Sequence, residues 1–156
     1  MDLLKQYGIF HEKARIHEDI LYSLALIRNK AGEQVEKYFY SHGISSAKYN
    51  ILMAVSYINE GMGLTQVELS KRLLVTTSNI TNLVNRLCEE KYITRKQNQT
   101  NRRENTIKIT ARGQELIDKL WPGYQKITKT IVSFLTDKEQ HDLKNLLESW
   151  FIRLST

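Results

Sequence analysis

The feature that most constrains the fold is a pair of short helix patterns that follow one another with almost no room between them. Thr65 and Glu68 have the spacing of a capping box, in which a hydroxyl and a carboxylate satisfy backbone N–H groups of a first helical turn. A second helix pattern begins just after Val75. Two helices joined by so short a turn must cross steeply, so the sequence predicts a helix-turn-helix unit.

The second helix pattern has two different sides. At about 100° per residue, Ile80, Leu83, Val84 and Leu87 form one apolar stripe that we expect to be buried. The other side carries short hydroxyl and amide groups and one Arg, namely Ser78, Thr81, Asn82, Asn85 and Arg86. Such groups hydrogen-bond base edges and phosphate oxygens, so this side predicts DNA recognition. A plain solvated helix is the alternative interpretation.

A hairpin pattern follows the second helix. Two segments rich in β-branched residues, 92–96 and 104–109, flank a polar tip that contains Asn and no apolar residue. From Ile80 to Arg112 there are eight Lys and Arg and three Glu, a net +5 of the chain's +6. Positive charge concentrated on a hairpin directly after a helix-turn-helix indicates a wing that contacts nucleic acid.

From Leu64 to Gly113 the sequence resembles the winged-helix core of the MarR family of bacterial transcriptional regulators. The matching segments are L-T-Q-V-E-L-S-K-R-L, T-T-S-N-I-T-N-L-V-N-R-L, the N-R-R of the wing and the closing I-T-A-R-G. The resemblance implies a homodimer that binds double-stranded DNA, usually as a repressor released by a small molecule or an oxidant. Two positions depart from the family pattern: Asn101 replaces an Asp, and Leu74 replaces a Gly of the turn.

The segment before the helix-turn-helix predicts two helices. Apolar residues step by three or four through residues 11–40, which indicates one helix of about 30 residues, roughly 45 Å long. A helix of that length exceeds what a small domain can cover, so part of it should meet another chain. In the next helix we expect Tyr49, Leu52, Val55, Tyr57 and Ile58 to point inward.

Two further helices are predicted after the wing. Thr110 is expected to cap the first, and Pro122 predicts a kink or break near Leu120 because proline lacks a backbone donor and clashes with the preceding turn. Thr136 and Glu139 repeat the capping-box spacing at the start of the second helix. The apolar stripe of that helix is very wide, which is typical either of core or of a dimer interface.

The predicted fold class is therefore mainly α with a small β wing, a winged helix-turn-helix with long N- and C-terminal dimerisation helices. We assign residues 1–43 and 111–156 to dimerisation and residues 44–110 to the DNA-binding domain. In such a homodimer, two-fold symmetry would place the recognition helices about 34 Å apart, in successive major grooves of a pseudo-palindrome.

The candidate DNA contacts follow from these positions. Thr76 is expected to cap the recognition helix, whose N-terminus favours a phosphate. Asn82 is the candidate for reading an adenine, and Arg103 the candidate for the minor groove. The other candidates for bases or phosphates are Thr77, Ser78, Asn79, Thr81, Arg86, Arg95, Lys96 and Arg102.

The chain offers no motif for catalysis. It contains no glycine-rich phosphate loop, no paired His/Cys metal spacing and no nucleophile set, so we predict no enzyme activity, metal or cofactor. No apolar run reaches the length of a membrane span, and the N-terminus lacks the order of a signal peptide. A single cysteine fits a reducing cytosol, so the predicted location is cytoplasmic and no membrane partner is expected.

An effector and two alternative functions remain open at this point. The resemblance implies a small, often aromatic or anionic effector, for which Tyr38, His42 and Tyr49 are candidate pocket residues. Plain core aromatics and a histidine at a helix C-terminus are the competing interpretations. One alternative function is a redox-switched regulator acting through Cys88, although Glu89 beside it disfavours a reactive thiolate. The other is a winged helix used for protein contact without DNA.

Overall fold

The computed structural model describes residues 4–8, 16–58, 63–73, 76–97 and 105–155. Within these ranges a short 3-10 helix at Leu4–Tyr7 precedes α1 (Ile16–Ser41), α2 (Ser46–Tyr57), β1 (Leu64–Thr65), α3 (Gln66–Leu73), α4 (Thr77–Glu89), β2 (Ile93–Gln97), β3 (Asn105–Ile109), α5 (Ala111–Val132) and α6 (Asp137–Leu154). This architecture is mainly helical with a small antiparallel sheet, which confirms the predicted winged-helix fold class. The chain divides into one unit that ends at Ile117 and a second that begins at Asp118.

The small sheet has the strand order β1-β3-β2. β2 and β3 pair antiparallel with Arg95 opposite Ile107, which confirms the predicted hairpin, and β1 adds Leu64 opposite the same Ile107. Gly63 enters β1 with φ +103°, and a Cβ there would lie 2.6 Å from Thr106 Cγ2. The position therefore needs glycine both for its backbone conformation and for the close approach of β3.

The core of the first unit is formed by side chains from its helices and from all three strands. Its buried apolar residues include Phe39, Ile44, Tyr49, Ile51, Leu52, Val55, Leu64, Leu69, Ile80, Val84, Leu87, Ile93, Ile107 and Ile117. Because α2, α3 and α4 all contribute, burial fixes the crossing of the helix-turn-helix against the helix that supports it.

Helix α2 begins at a cap and buries one side. Ser45 is its N-cap residue and accepts from the backbone N–H of Lys48 at 3.3 Å. Leu52 and Val55 are fully buried as predicted, but Tyr57 is 62% exposed, so the expectation that Tyr57 points inward was wrong. Two residues rotate a helix by about 200°, which places Tyr57 nearly opposite Val55.

Helix α5 runs without interruption from Ala111 to Val132 and contains Pro122 in its interior. The predicted break near Leu120 was therefore wrong, whereas a kink at that point stays a prediction. Pro122 is exposed, so the one backbone N–H that proline lacks is missing from a side of α5 that faces solvent. The absence of one backbone bond on a solvated side is not enough to end a helix of 22 residues.

The second unit contains the rest of α5 and α6. Thr136 and Glu139 form the predicted capping box at the start of α6, with the Thr136 N–H donating to Glu139 Oε2 at 2.8 Å. An open groove of about 510 Å³ lies between the end of α5 and α6, lined largely by Val132, Leu135, Leu143 and Leu147. Among the helices the structure describes, none has the length and apolar character needed to cross a membrane.

Candidate nucleic-acid interface

The first helix of the helix-turn-helix, α3, is fixed at its start by a reciprocal cap. The Thr65 N–H donates to Glu68 Oε2 at 2.7 Å, and the Glu68 N–H donates to Thr65 Oγ1 at 3.2 Å. These two bonds confirm the predicted capping box. The donors of Thr65, backbone N–H first and hydroxyl second, lower the pKa of Glu68 because they stabilise its carboxylate. Gln66 is therefore held as the first residue of α3.

Helix α4 has the two sides that its sequence predicts. Ile80, Val84 and Leu87 are fully buried, and Leu83 is half-buried. The opposite side exposes a set of short polar groups and one guanidinium, comprising Ser78, Asn79, Asn82, Asn85 and Arg86. We call this set the polar face of α4. A helix packed on one side with small hydrogen-bonding groups on the other can enter a DNA major groove closely.

The N-terminus of α4 differs from a simple hydroxyl cap. Thr76 occupies the N-cap position with extended backbone angles, but its side chain makes no capping hydrogen bond. Its Oγ1 lies instead 3.2 Å from Ser78 Oγ. Thr77 begins the helix, and its side chain lies outside the described residues. The expected cap position is confirmed, whereas capping by the Thr76 hydroxyl was wrong because that hydroxyl pairs with Ser78.

Thr81 is a candidate on α4 that also contacts α3. It is half-buried, and its Oγ1 lies 3.2 Å from Gln66 Nε2, which donates to it. The side chain of Thr81 therefore lies at the edge between the polar face of α4 and the start of α3. Sequence periodicity places Thr81 beside the polar face but gives no sign of its partner, which is 15 positions away.

The C-terminus of α4 closes in a Schellman motif. Lys91 adopts φ +62°, its N–H donates to Cys88 O at 3.0 Å, and the Tyr92 N–H donates to Leu87 O at 3.0 Å. Glu90, next to this turn, forms an ion pair with Lys48 of α2. These bonds fix where the chain leaves the recognition helix and enters the wing.

The two cationic candidates of β2 point to opposite faces of the wing. Lys96 is exposed, whereas Arg95 is half-buried on the same face as the buried Ile93. The positive charge of Arg95 acts on Cys88 of α4, which places its guanidinium on the helix side of the sheet. Because side chains alternate along a strand, the two cations leave the hairpin from different faces, and their predicted contacts with the DNA backbone stay predictions. Arg102 and Arg103 lie outside the described residues.

A junction at Tyr92 joins the wing to α5. The Tyr92 carbonyl accepts from the Thr110 N–H at 3.1 Å and from Thr110 Oγ1 at 3.0 Å. Gly113 passes so close that an added Cβ would lie 2.2 Å from the same carbonyl oxygen. The Arg112 guanidinium lies 5.0 Å from the centre of the Tyr92 ring. The sequence predicts that Thr110 caps a helix, and the bond from the Gly113 N–H to Thr110 Oγ1 at 3.1 Å confirms it. The sequence does not predict the junction.

Cys88 and the candidate pocket residues occupy ordinary structural positions. Burial raises the pKa of Cys88, Glu89 adds to the rise and Arg95 opposes it, so the thiol is protonated near neutral pH. His42 Nδ1 lies 2.8 Å from Tyr38 O at the end of α1, and the two rings are 4.5 Å apart. Tyr49 is 1% exposed and packs on Phe39. The pocket role of these residues stays a prediction.

Comparisons with known proteins agree with this geometry. Residues 42–104 match the model of the MarR family. The HTH-type transcriptional repressor YetL of Bacillus subtilis (strain 168) is 28% identical over 137 residues, which cover 88% of this chain and 81% of YetL.

Two solved structures have the same fold. A mutant of MarR from E. coli complexed with operator DNA has a TM-score of 0.76 at 21% identity and covers 88% of this chain and 98% of its own. BpsR of Bordetella bronchiseptica, in a structure concerning regulation of its DNA binding by 6-hydroxynicotinic acid, has a TM-score of 0.76 at 16% identity, with 85% and 98% covered.

A helix-turn-helix with an exposed polar recognition helix and a charged wing defines a DNA-binding transcriptional regulator rather than an enzyme. In sequence, the chain is similar to the MarR family over residues 42–104 and to YetL over 137 residues.

Proposed function

We propose that this protein is a homodimeric repressor that binds a pseudo-palindromic operator and is released by a small aromatic or anionic effector. The observation that carries the proposal is the polar face of α4, where hydroxyl and amide groups stand exposed opposite a fully buried stripe. A helix that only needed to be solvated would gain more helical stability from Glu, Lys or Gln than from Asn, Ser and Thr. The lower helix propensity of these residues is explained if their side chains contact base edges.

Individual residues have distinct roles in this proposal. Asn82 reads an adenine through its amide, and Arg86, one turn further along α4, holds a phosphate. Lys96 on the exposed face of β2 contacts the backbone, and Arg103 enters the minor groove. Ser78 and Asn79 lie near the N-terminus of α4, where a recognition helix approaches the bases.

Dimerisation is supported by apolar side chains that a single protomer leaves in water. On α6, Leu146 is 64% exposed, Phe151 55% and Leu154 75%. On α1, Ile16 and Ile27 are 60% and 62% exposed. Burying such surface between two copies gains roughly 25 cal/mol for each Å² of apolar area removed from water. A second copy also supplies the second recognition helix that a palindrome requires.

Release by an effector is supported by the fold relative BpsR, whose DNA binding is regulated by 6-hydroxynicotinic acid, an aromatic acid. Tyr38 and His42 lie together at the end of α1, where an aromatic ring and an imidazole could meet such a ligand. Repression is supported by YetL, which is named as a repressor. The proposed location is the cytoplasm, where the DNA is.

The test is selection of bound sequences from a pool of random duplexes, followed by affinity measurements at two salt concentrations. We expect a two-fold symmetric motif. Asn82→Ala should relax the preference at one base pair and leave the salt dependence unchanged. Arg86→Ala and Arg103→Ala should weaken binding and reduce the salt slope by about one unit for each phosphate that is no longer neutralised.

The control is Arg28→Ala, which removes the same charge from an exposed position on α1, outside the helix-turn-helix and the wing. Failure to enrich any motif, together with equal binding of the variants, would favour the alternative of a protein-interaction module. The same samples are measured by sedimentation velocity, since a monomer at the concentrations that bind DNA would contradict the dimeric operator complex.

A further inference from the structure

We infer that Gln66 is a DNA-contacting and positioning residue, whose amide holds the Thr81 hydroxyl at the edge of the polar face and donates its second N–H to a DNA phosphate. The inference rests on the proposed binding of DNA by α4. The observation behind it is the bond from Gln66 Nε2 to Thr81 Oγ1 at 3.2 Å, which joins the first residue of α3 to the recognition helix.

The backbone of Gln66 is fixed before its side chain acts. The capping box of Thr65 and Glu68 sets the first turn of α3 on one side of Gln66. Leu69, one turn later, is fully buried and anchors the same helix in the core. A side chain that leaves such a fixed point loses less conformational entropy when it forms a hydrogen bond, so the amide is preorganised.

The amide of Gln66 has more hydrogen-bonding capacity than Thr81 uses. A primary amide carries two N–H donors, and one of them is directed to Thr81 Oγ1. Gln66 and Thr81 are both half-buried, so the amide lies where protein meets solvent and not within the core. The residue it contacts, Thr81, precedes Asn82 in α4 and lies one turn after Ser78, and both of these belong to the polar face.

Docking geometry identifies a DNA phosphate as the acceptor for the second N–H of Gln66. In a helix-turn-helix, the recognition helix enters the major groove while the first helix crosses the DNA backbone. A donor at the start of the first helix, adjacent to the polar face of the second, is therefore placed at the groove edge, where phosphate oxygens are. Neutral amides are common phosphate donors, and they fix register without carrying sequence information. In this arrangement the contact of Gln66 with the phosphate fixes the register of the protein on the DNA. The bond from Gln66 to Thr81 then positions the recognition helix α4 in that register.

The test is a double-mutant cycle on the selected duplex, with Gln66→Ala, Thr81→Ala and the double variant. We expect Gln66→Ala to weaken binding by about tenfold, the loss that one or two hydrogen bonds would give. The salt slope should stay unchanged because a neutral side chain releases no counterion, in contrast to Arg86→Ala. The double variant should bind about as weakly as the weaker of the two single variants, because the two residues act as one unit.

Two further measurements separate this role from a purely structural one. Thermal unfolding of Gln66→Ala should stay close to that of the parent, because alanine's helix propensity offsets the missing neutral bond. Gln66→Glu should bind more weakly than Gln66→Ala, because a carboxylate repels the phosphate. Gln125→Ala, which removes an exposed amide from α5, is the matched control and should bind normally.

Three results would overturn the inference: Gln66→Ala binding the selected duplex within about twofold of the parent, losses that multiply in the double variant, or a loss of affinity that only parallels a loss of stability. Each of these can occur while a symmetric motif is still enriched and Arg86→Ala still weakens binding. In that case the proposed function stands and the role of Gln66 falls.

Discussion

Replacing Gly113 with alanine tests the junction between the wing and α5 by the smallest possible change. The added methyl would lie 2.2 Å from Tyr92 O and 2.6 Å from Ile109 Cδ1. Ordinary contacts begin near 3.4 Å, so the Tyr92 carbonyl or α5 has to move by about 1 Å. That carbonyl is not free to move alone, because it accepts two hydrogen bonds from Thr110.

The size of the effect follows from these contacts. Losing two neutral hydrogen bonds costs about 1 kcal/mol each. Overpacking costs about 1–3 kcal/mol, and alanine recovers up to about 1 kcal/mol of helix propensity over glycine. The expected net destabilisation of Gly113→Ala is therefore about 2–4 kcal/mol in the free energy of unfolding.

The assay is urea unfolding followed by far-ultraviolet circular dichroism, at one fixed protomer concentration because dimerisation would add to stability. Gly32→Ala is the matched control. Gly32 lies inside α1, and a Cβ there meets no atom within 4 Å in the part of the chain that the structure describes. That substitution should stabilise by about 0.5–1 kcal/mol. If the two variants unfold at the same urea concentration, the close approach between Gly113 and the Tyr92 carbonyl is refuted.

Three other predictions concern single positions. Lys91→Gly should raise the urea midpoint, because φ +62° favours glycine by about 1 kcal/mol before its entropic cost is counted; a lowered midpoint would show that the Lys91 side chain outweighs the strain. Since the pKa of Glu68 is lowered in the folded state, its contribution to stability is complete above its ordinary pKa of 4.5 and is lost as pH falls through its folded pKa. The stability of Glu68→Gln should accordingly fall less on acidification, and an unchanged acid profile would contradict the cap. Because burial raises the pKa of Cys88, alkylation by iodoacetamide near neutral pH should be slower in the folded protein than in urea, and Cys88→Ser should leave DNA binding and any response to peroxide unchanged.

Much of the fold could be predicted because its signals are local. The boxes at Thr65 and Thr136 require only four consecutive residues, and both form. The buried and exposed sides of α4 follow from its helical repeat, since the core touches only one side. The wing followed from its β-branched flanks. In each case the residues that carry the signal are the ones that make the contact.

The features that were not predicted involve pairs of distant residues or the direction of a single side chain. Nothing near Thr81 indicates Gln66, and nothing near Gly113 indicates that the Tyr92 carbonyl passes beside it. The divergence of Arg95 and Lys96 could have been predicted, because neighbours in a strand always point to opposite faces. The exposure of Tyr57 could likewise have been predicted from the helical repeat. Its aromatic character favours burial, but its angle around α2 decides its exposure.

The residues of the junction at Tyr92 differ in how freely they can be substituted. The acceptor is a main-chain carbonyl, which every amino acid supplies, so a substitution at position 92 keeps the acceptor and changes the half-buried ring and its contact with Arg112. Position 113 has no such freedom, since any side chain larger than hydrogen collides with that carbonyl. Position 110 needs a hydroxyl that both donates to the carbonyl and accepts from the N–H of residue 113. Among diverging descendants of this chain, 110 and 113 should change last and together, while 92 varies.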